Sequence, residues 1–143
     1  MRMTGPMAGV ALLVTGCAHV GAASDHPRTP TLAGTHWTIA SINDAAPAAE
    51  RETAMRFTAD RVSGNAGCNS FGGGYSFVGG VMTMTQLIST KMACPGPGMD
   101  QENAVFKILQ RPLTVTAEED GSLTLSSEAG TIRLTPDNNP SSP

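Results

Sequence analysis

Residues 113–135 read LTVTAEEDGSLTLSSEAGTIRLT. Leu113 and Val115, Leu123 and Leu125, and Ile132 and Leu134 form three apolar pairs, each with a polar residue between its members. That period of two is the mark of a strand with one buried face. Asp120-Gly121 and Glu128-Ala129-Gly130 separate the pairs and supply the chemistry of hairpin turns. The three segments therefore predict an antiparallel meander.

The segment before the meander breaks that period. In Met99–Leu109, Val105, Phe106 and Leu109 fall on one stripe at helical spacing, and Asp100 and Glu102 stand near the positive helix N-terminus. Pro97 and Gly98 precede it and Pro112 stops it, which predicts one amphipathic helix of about three turns. A helix with one apolar stripe needs a surface to cover, so it should plug or cap the sheet. Further back the period of two returns. Trp37, Ile39 and Ser41 share a face of a first strand that turns near Asn43-Asp44. Met55 and Phe57 alternate with Arg56 and Thr58, and Val62 leads into Ser63-Gly64-Asn65-Ala66-Gly67-Cys68-Asn69, whose glycines predict a bulge or tight crossing. Tyr75 and Phe77 alternate next; Val78-Gly79-Gly80 turns, and Met82, Met84 and either Gln86 or Leu87 continue. The fold class is mainly β: an antiparallel, partly open, barrel-like sheet with one amphipathic helix, occupying residues 32–135.

Outside these limits the chain changes character. Arg2 followed by Met7–Val14, an apolar stretch far below the ~20 residues of a membrane-spanning helix, predicts an export signal over residues 1–16. Val14-Thr15-Gly16-Cys17 resembles a bacterial lipobox, in which small residues precede a cysteine that is lipidated after cleavage. Cys17 is then the anchored N-terminus, and several acyl chains together hold a protein on a membrane. Ala18 resembles the residue that follows the cysteine in outer-membrane passengers, so the expected location is the cell envelope, at the outer membrane facing the periplasm. Residues 17–31, including His19 and His26, read as a flexible tether, and residues 136–143 as a disordered tail.

At 143 residues there is room for one domain. A net charge of −3, with nine scattered basic residues, argues against a nucleic-acid partner.

The order of several motifs closely resembles the META domain, also called the HslJ family. They are Leu32-Ala33-Gly34-Thr35-His36-Trp37, then Phe57, then Ser63-Gly64-Asn65-Ala66-Gly67-Cys68-Asn69-Ser70-Phe71 running on to Tyr75, and then Ser89-Thr90-Lys91-Met92-Ala93-Cys94. A helix with Glu102, Phe106 and Leu109 and a closing strand with Gly121, Leu123 and Leu125 complete it. The resemblance covers about a hundred residues, more than a single short motif. It implies a mainly β fold with a helix, an envelope or heat-shock-associated setting, and no catalytic activity. Its motif residues Trp37, Gly64, Gly67, Cys68, Asn69, Phe71, Tyr75, Thr90, Met92 and Cys94 are expected to be structural.

Once Cys17 is lipidated, Cys68 and Cys94 remain, and an oxidising compartment favours a disulfide between them. Two separately buried thiols, a redox pair or a metal site are the alternatives; neither cysteine has a CxxC neighbour or a nearby His. Asn69 is expected to satisfy backbone groups in the glycine-rich crossing, against a ligand-orienting role. Gly72-Gly73-Gly74 lacks the lysine and strand-to-helix setting of a phosphate loop. Trp37 is expected in the core. Met82, Met84, Met92 and Met99 are candidates for the lining of an apolar cavity, or ordinary gap fillers. His36 stands alone in the domain without a nucleophile at a recognisable spacing, and Glu118-Glu119-Asp120 read as a solvated turn. The expectation is a non-enzymatic protein with no cofactor and no metal. Its partners would be the membrane, through the anchor, and an envelope protein. The alternative is a small apolar ligand or acyl chain held between helix and sheet.

Overall fold

A computed structural model describes Gly5, residues 29–48 and residues 52–137. Cys17, the signal segment, most of the tether with His19 and His26, and residues 138–143 lie outside the described residues. Eight strands follow the chain: β1 (His36–Ile42), β2 (Ala54–Phe57), β3 (Arg61–Asn65), β4 (Ser70–Val78), β5 (Val81–Ser89), β6 (Leu113–Ala117), β7 (Leu123–Ser127) and β8 (Gly130–Pro136). Among the described residues one helix, α1 (Pro97–Leu109), stands between β5 and β6. Each strand pairs antiparallel with the next, and β8 pairs with β1, so the sheet is a closed barrel. The expected partly open barrel thus becomes a complete ring. Its shortest seam is β5–β6, where only Val81–Thr114 and Met82–Leu113 pair.

The meander is as expected: Leu113, Val115, Leu123, Leu125, Ile132 and Leu134 are all buried. β8 runs one residue past 135, since Pro136 pairs with Trp37. Two bulges redirect side chains that simple alternation misplaces. The register of β1 against β8 shifts between Ile39 and Ser41, so Ile42 turns into the core and Ser41 does not. In β5 the shift against β4 coincides with a positive φ of 52° at Gln86, and Leu87 packs against the core. A bulge inserts one residue and so reverses the faces beyond it.

β3 continues through Gly64 to Asn65, and the crossing to β4 is the short segment Ala66–Asn69. Gly64 sits where three strands come together: Met55 is its partner on β2 and Phe71 its partner on β4. A Cβ at this position would meet the Ala54 carbonyl oxygen and the Phe71 ring. Glycine here permits close packing rather than a turn.

α1 begins at Pro97, two residues earlier than its stripe implied, and proline is well suited to a first turn. Val105, Ile108 and Leu109 are its fully buried apolar residues. Ile108 therefore takes a place on the stripe, while Phe106 lies at its border with its ring edge-on to Phe71 at 6.1 Å. The helix packs against β8 and β1. The barrel interior is filled by Ile39, Met55, Phe57, Met82, Leu113, Leu125 and Ile132, each at most 1% exposed, with the helix stripe among them. Burial of this kind, at about 25 cal/mol per Å² of apolar surface, is the main force holding the barrel closed.

Candidate functional site

The family-motif residues converge where α1 meets the β3–β4 crossing. Asn69 is 2% exposed and its amide is fully engaged. Its Oδ1 accepts from Thr90 Oγ1 at 2.8 Å and from the Met92 backbone N–H at 2.7 Å. Its Nδ2 donates to Glu102 Oε1 at 2.8 Å and to the Met92 carbonyl at 3.2 Å. The Asn69 backbone N–H donates to the other oxygen, Glu102 Oε2, at 2.6 Å. An amide has two donors and two acceptor positions, and all four are used. The expected role of Asn69 is corrected in its partners: it satisfies the Thr90–Met92 segment and the helix, not the glycines. The crossing is served by Asn65, whose Oδ1 accepts from the Gly67 N–H at 2.9 Å.

Around this centre the contacts continue. Gln101 Nε2 donates to the Ala66 carbonyl at 2.8 Å, and its Oε1 accepts from the Ala48 N–H at 2.7 Å. The Ser70 N–H donates to Thr90 Oγ1. Gly67 has φ 139°, and a Cβ there would press on the Gly98 carbonyl at the helix start. Cys68 and Cys94 form a disulfide with a Cα–Cα distance of 5.9 Å, which closes the same corner three residues before the helix. The alternative of two separately buried thiols gives way to that bond. Glu102 is 5% exposed and faces inward, so its sequence reading as an acid near the helix N-terminus missed its role as the acceptor for Asn69. Among the described residues no buried side-chain nitrogen or oxygen lacks a partner.

The other motif residues are also engaged. Trp37 is in the core with Nε1 donating to Thr35 Oγ1 at 2.7 Å. Tyr75 donates its hydroxyl to the Thr58 carbonyl at 2.9 Å and packs edge-on against Phe57. Burial, and then the charge of Asp60, raise its phenol above the ordinary range. Met92 is held by its backbone while its side chain is 49% exposed. The four methionines do not share a cavity: Met82 is in the core, Met84 packs partly against it, Met99 is half-buried and Met92 faces out. The acidic turn is an internally bonded corner, with Asp120 accepting from Ser122 and Arg133 and Glu118 accepting from Thr124. Among the described residues no group of three His, Cys, Asp or Glu could hold a metal.

A second feature lies on the outside of the wall. A groove of about 420 Å³ crosses β1 to β4, and His36, Arg56, Ser63, Asn65 and Ser70 bring polar side chains to it. No sequence signal singled these residues out as a set, because they come from four strands and touch only through register.

Together these features describe a small antiparallel barrel whose helix α1 is fastened by a disulfide and a buried Asn–Glu pair. The META domain model matches residues 30–138, and the chain belongs to that family. No curated protein matches the sequence. Among solved structures, an NMR structure of a protein from Burkholderia xenovorans is similar at 22% identity and a TM-score of 0.61, over 76% of this chain and 85% of that one. A second NMR structure is similar at 22% identity and a TM-score of 0.64, over 73% of this chain and 90% of that one. Both likenesses concern the fold.

Proposed function

We propose that the protein is a non-catalytic envelope lipoprotein, tethered through lipid on Cys17 and serving a structural or stress-related role beside other envelope proteins. The observation that carries the non-catalytic part is the complete engagement of the motif residues. Asn69, Glu102, Thr90, Cys68 and Cys94 bond to one another or to nearby backbone, which leaves none of them a free group to act on a substrate. The apolar stretch ending in Val14-Thr15-Gly16-Cys17 supports the anchor, and the Cys68–Cys94 bond fits an oxidising compartment. Ala18 supports the outer membrane, facing the periplasm. Among the described residues no helix is long and apolar enough to cross a membrane. Intact-mass analysis of membrane and soluble fractions tests the anchor. The expected wild-type protein begins at Cys17 with an added lipid mass, and Cys17→Ala shifts it to the soluble fraction. A soluble wild-type chain retaining residues 1–16 would refute it.

The second reading, a binder of an apolar ligand between helix and sheet, has less support. That space is filled by Val105, Ile108 and Leu109. The open cleft between α1 and Ile42–Ala48 measures about 190 Å³, below the ~300 Å³ usual for a ligand pocket. A stoichiometric lipid that stays bound in native mass spectrometry of the full chain would reverse this ranking.

A further inference from the structure

We propose that the open edge of β5 docks a second copy of this chain, the two β5 strands pairing antiparallel about a twofold axis. Of the nine residues of β5, only Val81 and Met82 pair with β6. From Thr83 to Ser89 the strand therefore has a neighbour on its β4 side alone. The direction of the unpaired groups follows from alternation along the ladder. The Gly80 carbonyl accepts from the Val115 N–H and so faces β6. Met82 and Met84, two and four residues on, direct their backbone groups to that side as well. At the far end the Thr90 N–H donates to the Ser70 carbonyl, so Thr90 and Ile88 face β4 and the alternate residues Leu87 and Ser89 face the open side. The bulge at Gln86 resets the alternation between Met84 and Leu87. Met84, Leu87 and Ser89 thus hold an open row of N–H and C=O groups, and among the described residues no strand is paired to it.

Only another extended strand matches such a row, and two properties select a second β5. The first is charge. Strand edges left to solvent are normally blunted by charged residues or proline, and Phe77–Thr90 contains neither. A twofold interface sets the same patch of each copy against the other, so an uncharged edge can face itself without repulsion. The second is register. With the axis at Leu87, that residue exchanges both bonds with the second copy's Leu87, while Met84 meets the second copy's Ser89 and Ser89 meets its Met84. The open row is then satisfied from end to end, with one Gln86 bulge on either side of the axis. The exposed apolar residues fall on the same strand. Val81 and Ile88 lie on β5, Val78 is paired with Val81, and Met92 follows three residues after the strand ends. Ile88, which is 65% exposed, would come beside the second copy's Thr85 and Gln86. Large apolar side chains gathered on one exposed strand mark an interaction surface. The pairing depends neither on the anchor at Cys17 nor on the buried Asn–Glu corner.

Sedimentation of the full chain in detergent tests it, with micelles in large excess so that two copies seldom share one by chance. A monomer–dimer equilibrium with a midpoint on the order of 100 µM is expected, since one short ladder forms a small interface. Amide exchange at Met84, Leu87 and Ser89 should slow as the concentration crosses that midpoint. Ile88→Lys places a charge in the pairing and should weaken the dimer by about tenfold or more. Ala129→Lys, which adds the same charge on the exposed β7–β8 turn, should leave it unchanged. Ser89→Pro removes an N–H from the open row only, and a folded variant should dimerise more weakly in the same way. A chain that stays monomeric up to about 1 mM would overturn the proposal. So would a dimer that Ile88→Lys leaves intact, or one that forms without slowing exchange at those three amides.

Discussion

Replacing Asn69 by Asp changes one atom group in the buried corner and inverts its electrostatics. Oδ1 keeps its two donors, Thr90 Oγ1 and the Met92 N–H, and the backbone N–H keeps Glu102 Oε2. The position of Nδ2, however, becomes an oxygen 2.8 Å from Glu102 Oε1 and 3.2 Å from the Met92 carbonyl. Two carboxylates about 3 Å apart repel by roughly 5 kcal/mol at an effective dielectric constant near 20. The folded variant can escape by sharing a proton between them. For an acid with an ordinary value near 4, taking up that proton at pH 7 costs about 4 kcal/mol, which sets a ceiling on the penalty. Asn69→Asp should therefore destabilise the domain by about 3–4 kcal/mol at pH 7, a large part of the ~5–15 kcal/mol expected of a domain. The sign with pH follows from linkage. The folded variant binds its proton at a higher pH than the unfolded chain does, so its deficit relative to wild type shrinks as pH falls. By about pH 4 the gap should be near 1 kcal/mol. Urea unfolding of both proteins at the two pH values, disulfide intact, measures it. A deficit below about 1 kcal/mol at pH 7, or one that does not change with pH, would refute the assignment of Glu102 as the charged acceptor of Asn69.

Thiol labelling of the denatured, unreduced protein should find neither Cys68 nor Cys94 reactive. Cys68→Ala with Cys94→Ala should lower unfolding stability by about 3–4 kcal/mol, the value for a closed loop of 26 residues. Gly64→Ala drives a methyl group against the Ala54 carbonyl and Phe71, and should cost about 3 kcal/mol by thermal unfolding, because a backbone oxygen cannot step aside. Gly72→Ala is its control: there the nearest atoms lie at 3.6 Å and beyond, and the effect should stay below about 1 kcal/mol. The Ser122 hydroxyl, then the Ser122 N–H and Arg133, lower the Asp120 carboxyl below its ordinary range. Its folded value being depressed, its contribution is present above the unfolded value and is lost as pH falls through the folded one. Asp120→Asn should thus be slightly less stable than wild type at neutral pH and indistinguishable from it near about pH 2, by the same unfolding assay.

The parts of the fold that could be read in the chain are those whose determinants are local. The meander of residues 113–135 shows both its alternation and its turns, and each of its six apolar positions is buried. The helix was legible from its stripe and its flanking prolines. Ser41 and Ile42 show where that legibility ends. A β-bulge is a property of a strand pair, set by how β1 meets β8, and alternation read along one strand has no means of locating it.

The candidate sites were hidden for the same reason, more strongly expressed. Glu102 carries every local sign of an acid placed for the helix dipole, and such a residue is normally solvated. Its actual partner, Asn69, lies 33 residues earlier, and the two meet only where α1 packs against the β3–β4 crossing. The outer groove depends on distance in the same way: His36 reaches Arg56 across twenty positions, and Ser63 and Ser70 join through two further registers. In the buried corner donors and acceptors are matched one to one, so any substitution there is felt as stability. Urea unfolding of Asn69→Asp therefore reads the corner directly, since the substitution changes one polar group and none of the apolar side chains that fill the barrel.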